Sequence, residues 1–180
     1  MKRPCPKLFR LCCLVAVVLF NGCGYHFTGE GPGPRPGLTK IAVPLFENKT
    51  SEPELESLFA TALRKEFLQK GSMQVVPVDQ AEAIFRGTVK SISTSAVSHL
   101  EVEKTIESRL YVTLDIRCED ARDGTILWQD RNFTYYKVFL QYLSPKNPNP
   151  IIGYESRRAA LEFLAGEMSV RIHDRFLNSF

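Results

Sequence analysis

The sequence predicts an α/β domain of α+β-like character, a single domain with two helices packed on one face of a mixed four- to five-stranded sheet. Three observations predict it. A strand, helix, strand succession fills Lys40 to Val78, an alternating apolar and polar run fills Ile106 to Cys118, and an amphipathic stripe closes the chain between Leu161 and Phe176. Two one-sided helices need one shared apolar surface, and a sheet with one apolar face provides it.

The first strand spans Lys40 to Phe46, where Ile41, Val43, Leu45 and Phe46 form an apolar run, and Glu47-Asn48-Lys49 turns the chain. Ser51-Glu52-Pro53-Glu54 offers a capping box, with Ser51 as N-cap and Glu54 reaching back. Leu55, Leu58, Phe59, Ala62, Leu63 and Phe67 then recur at helical spacing, and Lys70-Gly71 closes the helix. A strand over Met73 to Val78 follows, and such a unit normally crosses over to join two parallel strands.

The rest reads as antiparallel β and one helix. A strand runs from Ala83 to about Val97, with a polar tip over Ser98 to Lys104. In the next strand Ile106, Leu110, Val112, Leu114, Ile116 and Cys118 point one way, and Glu107, Arg109, Tyr111, Thr113, Asp115 and Arg117 the other. The first set is core; the second, with Arg109, Tyr111, Thr113 and Arg117 as its candidate contacts, is wet or faces a partner. Asp123-Gly124 turns into a strand over Thr125 to Val138. There Ile126 and Trp128 set one phase and Phe133 and Tyr135 the other, which predicts a bulge near Asp130 to Asn132. Gln141 to Gly153, broken by Pro145, Pro148 and Pro150, reads as an irregular functional loop. Leu161, Leu164, Ala165, Met168, Ile172 and Phe176 mark the closing helix.

The amino terminus is a different kind of sequence. Lys2, Arg3, Lys7 and Arg10 precede an uncharged apolar run, Leu11 to Phe20, ending at Gly22-Cys23. This is a signal peptide over residues 1–22, too short to span a bilayer, which takes roughly 20 apolar residues. A cysteine at the cleavage point is the mark of a bacterial lipoprotein, so Cys23 is expected to carry diacylglycerol and an N-linked acyl chain; no other cofactor is expected. Residue 24 is Gly, not the Asp of inner-membrane retention, which points to the outer membrane. Residues 23–38 then form a lipidated tether, with Gly29, Gly31, Gly33 and Gly37 interleaved with Pro32, Pro34 and Pro36, and residues 39–180 form the domain.

Removing the signal changes the charge. The full chain carries 23 basic and 20 acidic residues; without the four basic residues of the signal, 19 face 20, a formal charge of −1. A general nucleic-acid or anionic-membrane binder is therefore not indicated. Cys5, Cys12 and Cys13 leave with the signal and Cys23 is lipidated, so Cys118 has no partner for an internal disulfide and reads as a small buried hydrophobe. His26, His99 and His173 lack metal-ligand spacing, and there is neither a Gly-x-Ser-x-Gly elbow nor a phosphate loop followed by a helix. No enzyme is indicated.

Two family resemblances bear on function. Lys40-Ile41-Ala42-Val43-Pro44-Leu45-Phe46-Glu47-Asn48-Lys49-Thr50 and the helix after it are similar to the opening of several periplasmic modules, among them TolB amino-terminal domains and the CsgG and LpoB lipoproteins. That resemblance implies a peptidoglycan-synthase activator or a secretion oligomer. Cys23-Gly24-Tyr25-His26-Phe27, with the order of elements behind it, resembles the LptE family. This second resemblance implies a non-catalytic lipoprotein that plugs and helps assemble the LptD outer-membrane barrel. It also implies lipopolysaccharide binding for delivery to the outer leaflet, with the domain on the periplasmic side and in the barrel lumen. The family's basic lipid contacts, at the hairpin tip and in the loop before the last helix, correspond here by region to His99, Lys104 and Lys146.

Overall fold

The structure is a computed structural model that describes residues 33–100, 105–142 and 150–179, with the side chains of 97–100, 105–107, 140–142 and 150–155 not described. One mixed sheet of six strands carries two helices on a single face. In chain order the elements are β1 (Lys40–Ala42), β2 (Glu47–Asn48), α1 (Leu55–Lys70), β3 (Gln74–Val75), a 3₁₀ turn (Val78–Gln80), β4 (Ala83–Leu100), β5 (Thr105–Asp120), β6 (Ile126–Tyr142) and α2 (Pro150–Leu177). The strand order is β3-β1-β4-β5-β6, with β2 beside β4 as a sixth, two-residue strand. Pairing is parallel for β1 with β3 and with β4, as the crossover through α1 requires, and antiparallel along β4, β5 and β6.

The first strand is shorter than its apolar run. Pro44 has no N–H to give a ladder, so β1 stops at Ala42 and the chain steps out before re-entering as β2, where a turn is expected from sequence. The step buries Val43 and Phe46 but leaves Leu45 61% exposed, and Val43 lends its carbonyl to Arg64 Nε of α1 at 2.6 Å. The capping box at Ser51 does not form. Helix α1 begins four residues later, with Glu54 as N-cap in a left-handed conformation (φ 67°) and no side-chain cap. Asn48 organises that entry instead: its Nδ2 donates to the Glu52 carbonyl at 2.7 Å and to Glu56 Oε2 at 3.0 Å, and its Oδ1 accepts from the Thr50 N–H. The carboxy-terminal end is as the sequence predicts, with Gly71 at φ 63° donating its N–H to the Phe67 carbonyl.

Helix α2 starts at Pro150, inside the segment read from sequence as loop; a proline in the first turn gives up no hydrogen bond the helix would make. Residues 143–149 lie outside the described residues. No helix among the described residues is long and apolar enough to cross a membrane.

The core lies between helices and sheet. Leu110, Val112, Leu114, Ile116 and Cys118 of β5 are all buried, as their alternation predicts. Burial also pushes the Cys118 thiol up to about 12, which leaves it protonated at any physiological pH. Around them close Phe59, Leu63 and Phe67 of α1, Phe85 and Val89 of β4, and Leu164, Met168, Ile172 and Phe176 of α2. The last part of the glycine- and proline-rich stretch packs here too: Gly33 donates its N–H to the Leu177 carbonyl at 3.3 Å, Leu38 is buried, and Arg35 pairs with Asp120.

Strand β6 changes face where its sequence phase flips. Leu114 faces Phe133 while Ile116 faces Asp130, so Arg131 and Asn132 are bulged out, with Asn132 at φ 56°. A second irregularity at Leu127 shifts the register again between Cys118–Trp128 and Glu119–Ile126. It turns Ile126 outward, 47% exposed, and corrects the expectation that Ile126 shares a face with Trp128.

Gly87 faces Ile116 on the core side, and the Phe46 ring occupies the space where its side chain would stand. Gly87→Ala is expected to destabilise the fold by about 1–3 kcal/mol through overpacking, read as a lower urea midpoint, and adding Phe46→Leu should recover part of the loss. An unchanged midpoint in the single variant would mean that the ring is free to move aside.

Candidate functional site

The sheet face without helices is built by alternation in β5 and completed by register. Arg109 stands opposite Ser95 of β4 and Val138 of β6, Tyr111 opposite Ser93 and Tyr136, Thr113 opposite Ser91 and Thr134, and Arg117 opposite Arg86 and Gln129. The four predicted residues of β5 thus share one face. Small serines along β4 leave it low on one side, while Tyr136 and Val138 stand 46% and 39% exposed on the other. The Tyr111 and Tyr136 rings lie 5.4 Å apart, and the Arg109 guanidinium carbon sits 5.3 Å from the Tyr136 centroid. Arg109 Nε is buried there with no hydrogen-bond partner among the described residues. Thr113 and Thr134 join their hydroxyls at 2.9 Å.

Below this aromatic zone lies a depression of about 370 Å³ lined by Arg86, Thr88, Lys90, Asp115, Arg117 and Arg131, among others. Bulges in both flanking strands shape it. Val89 faces Leu114 and Ser91 faces Thr113, so Lys90 is the extra residue in β4, across from the Arg131-Asn132 bulge of β6. Between them Asp115 accepts the Asn132 N–H at 2.7 Å and pairs with Lys90 Nζ at 3.3 Å. Arg86 and Arg117, directly opposite each other, both place Nε on the Glu119 carboxylate, Arg86 at 2.8 Å. Burial alone would raise the Glu119 carboxyl, but the hydrogen bonds from Arg117 and Arg86 outweigh it and hold it below its ordinary value. Asp115 is lowered likewise: burial opposes, and the Asn132 N–H and Lys90 prevail.

Arg86, Lys90, Arg131 and Tyr136 carry no signal of their own in the sequence pattern, because only the register of β4 and β6, set by the bulges, brings them beside Arg109, Tyr111 and Arg117. Of the other predicted site residues, Cys23, Lys104 and Lys146 lie outside the described residues. His99 pairs its backbone with Ile106 near the far end of the β4–β5 hairpin, and its side chain is not described. The remaining polar features serve packing. His173, fully buried, lies 3.0 Å from Ser72 Oγ and against the Phe67 ring. Arg157 bridges Glu52 and Thr94, tying α2 to the entry of α1 and to β4. No group of His, Cys, Asp and Glu among the described residues is arranged to hold a metal ion.

The LptE family, described as lipopolysaccharide-assembly, matches residues 38–176, the whole of this domain but its last residues. The chain belongs to the LptE family. It is thereby a lipoprotein of the cell envelope, in a non-catalytic family concerned with lipopolysaccharide transport. No curated protein matches it. Solved structures similar to this LptE-family chain include a lipoprotein B from Nitrosomonas europaea, at 11% identity and TM-score 0.49, covering 86% of this chain and 90% of that one. A minor lipoprotein from Acinetobacter baumannii is similar at 14% identity and TM-score 0.45, covering 79% and 92%. The PelC dodecamer from Paraburkholderia phytofirmans is similar at 12% identity and TM-score 0.47, covering 82% and 93%.

The charge pairs at the base of this LptE-family face predict a pH dependence. Because the folded-state values of Glu119 and Asp115 lie below the unfolded ones, their stabilisation is complete above the ordinary carboxylate range, about pH 4, and is lost as pH falls through the folded values. Replacing Arg117 with Gln is expected to move the Glu119 midpoint upward in a carbon-detected NMR titration. A midpoint that stays put would assign the lowering to Arg86 alone.

Proposed function

We propose that this LptE-family lipoprotein plugs and helps assemble the LptD outer-membrane barrel and binds lipopolysaccharide for delivery to the outer leaflet. The family match across residues 38–176 carries this reading. The helix-free face supports it physically. The lumen of an outer-membrane barrel is polar, and a plug must meet it with a surface that is polar yet specific. Arg109, Tyr111, Thr113 and Arg117 combine hydroxyls and guanidinium groups with the exposed Tyr136 ring, and tyrosine and arginine are the residues that most often dominate the energetics of protein interfaces.

In this reading Cys23 carries the diacylglycerol and N-acyl chains that hold the protein at the outer membrane, since two or more chains make anchoring stable where one does not. The domain lies on the periplasmic side and within the barrel lumen. Phosphorylated lipid A calls for cationic hydrogen-bond donors, and His99, Lys104 and Lys146 are the groups proposed to supply them.

A tagged copy purified from detergent-solubilised outer membrane is expected to retain a large barrel in one-to-one proportion. Tyr111→Glu, at a half-buried position outside the core, should reduce that recovery by about tenfold or more, as loss of an interface anchor does, with the thermal midpoint of the isolated protein little changed. Recovery of the wild-type protein without any barrel would overturn the reading.

Lipid binding is separable from docking. Lys104→Glu with Lys146→Glu is expected to weaken lipopolysaccharide retention on the immobilised protein while leaving barrel recovery intact. Unchanged retention would remove both residues from the lipid site.

A further inference from the structure

We infer that the depression at the base of the helix-free face is a binding site for a phosphate-type oxyanion, gripped by Arg86 and Arg117 with Lys90 and Arg131 beside them. This inference does not rest on docking into a barrel. Nor does it concern the region of His99, Lys104 and Lys146: strand β4 separates Lys90 from Leu100 by ten residues, roughly 30 Å of extended chain.

Three observations carry it. Arg86 and Arg117 are directly opposed across β4 and β5, an arrangement of like charges that destabilises a sheet. Glu119 relieves it only in part. It engages the Nε of each guanidinium, and no Nη atom of either has a hydrogen-bond partner among the described residues. The side chains of Arg86 and Arg117 stay about half exposed, so these donors are open to a ligand.

The second observation is charge. The lining holds four cations, Arg86, Lys90, Arg117 and Arg131, while Asp115 and Glu119 are the carboxylates bonded to them. Two positive charges remain in excess. Arg131 donates its Nε–H to the Gln129 amide oxygen at 3.1 Å, and Gln129 also stands opposite Arg117, where a glutamate would complete the neutralisation had stability been the only requirement. At the edge Glu47, which accepts from Thr88, is matched by Lys49.

The third is construction. Two bulges, one in each flanking strand, turn their extra residues, Lys90 and Arg131, towards the same stretch of β5, and bulges are a common means of re-aiming side chains at a site. A dianion with several acceptor oxygens matches the excess of two charges and the paired guanidinium donors, whereas a single carboxylate supplies half that charge. The chemistry is shared by free phosphate and by a phosphate monoester on a lipid headgroup.

Isothermal titration of the full-length, detergent-solubilised protein with inorganic pyrophosphate at low ionic strength tests the site. A parallel arm compares retention of micelles doped with phosphatidic acid against phosphatidylcholine. Binding of pyrophosphate alone assigns a soluble phosphate, and selective retention of phosphatidic acid a lipid-borne one; either upholds the site if Arg86→Gln with Arg117→Gln weakens it by about tenfold or more. Lys65→Gln, on the exposed side of α1, should bind as wild type does. Arg131→Glu is the second variant, at an exposed position whose described hydrogen bond is to Gln129, and thermal unfolding verifies that each variant is folded. Failure of both phosphate probes to bind, or binding that survives in the folded variants, overturns the inference. So does Arg86- and Arg117-dependent binding of polyglutamate in the absence of phosphate binding, which would make the depression a contact for an acidic protein.

Discussion

The packing of Phe176 fixes which side of this sheet is inside. Its ring meets Phe85 of β4 at 4.8 Å, Trp128 of β6 at 5.8 Å and Phe67 of α1 at 6.2 Å, mostly edge to face. One side chain near the end of the chain therefore binds both helices to two strands that are not neighbours. Full burial of a phenylalanine contributes about 1.5–3 kcal/mol, and favourable ring geometry about 0.5–1.5 kcal/mol more per pair. Because α1 and α2 also pack on each other there, both apolar stripes are committed to the same face. With both helices held on that face, neither covers the other, and the polar set of β5 stands free as a direct consequence.

That constraint explains why some features were legible in the sequence and others were not. The alternation of β5 could be read because one face is packed and the other is not, so period and burial coincide from Leu110 to Cys118. The bulge at Arg131-Asn132 was legible for the same reason, since Phe133 had to regain the core side after Trp128. The second slip at Leu127 left no comparable trace, because Ile126 is as apolar as the residue that replaces it inside. The capping box at Ser51 fits the local pattern but loses to tertiary structure. Asn48, held in β2 by pairing with Val89, reaches the carbonyl of Glu52 and the carboxylate of Glu56, and so sets the start of α1. The base of the free face needed register as well as pattern. Residues 86, 90, 117 and 131 are neighbours only once two bulges have shifted three strands against each other.

The two faces also divide the chemistry. On the helix side nearly every buried group is apolar, and among the exceptions His173 is satisfied locally by Ser72 and Asp174. On the free side the long side chains lie over one another, with Arg109 above Tyr136 and Tyr136 beside Tyr111. Such stacking holds the arginine in place without consuming its donors, which is the condition for a surface that recognises a partner with little loss of side-chain entropy.

A formal charge of −1 for residues 23–180 says little about the field that any partner meets. Electrostatic potential follows the local arrangement of charges, and a concave polar surface focuses it. The cations that the total conceals are gathered where β4, β5 and β6 run side by side, in opposition to the repulsion between Arg86 and Arg117. Folding alone would favour spreading them out or matching each with a carboxylate, as α2 does with Arg158–Glu162 and Arg171–Glu167 one turn apart. Matched charges on the helix and crowded ones at the base of the free face are the contrast that the proposed binding site on the sheet requires.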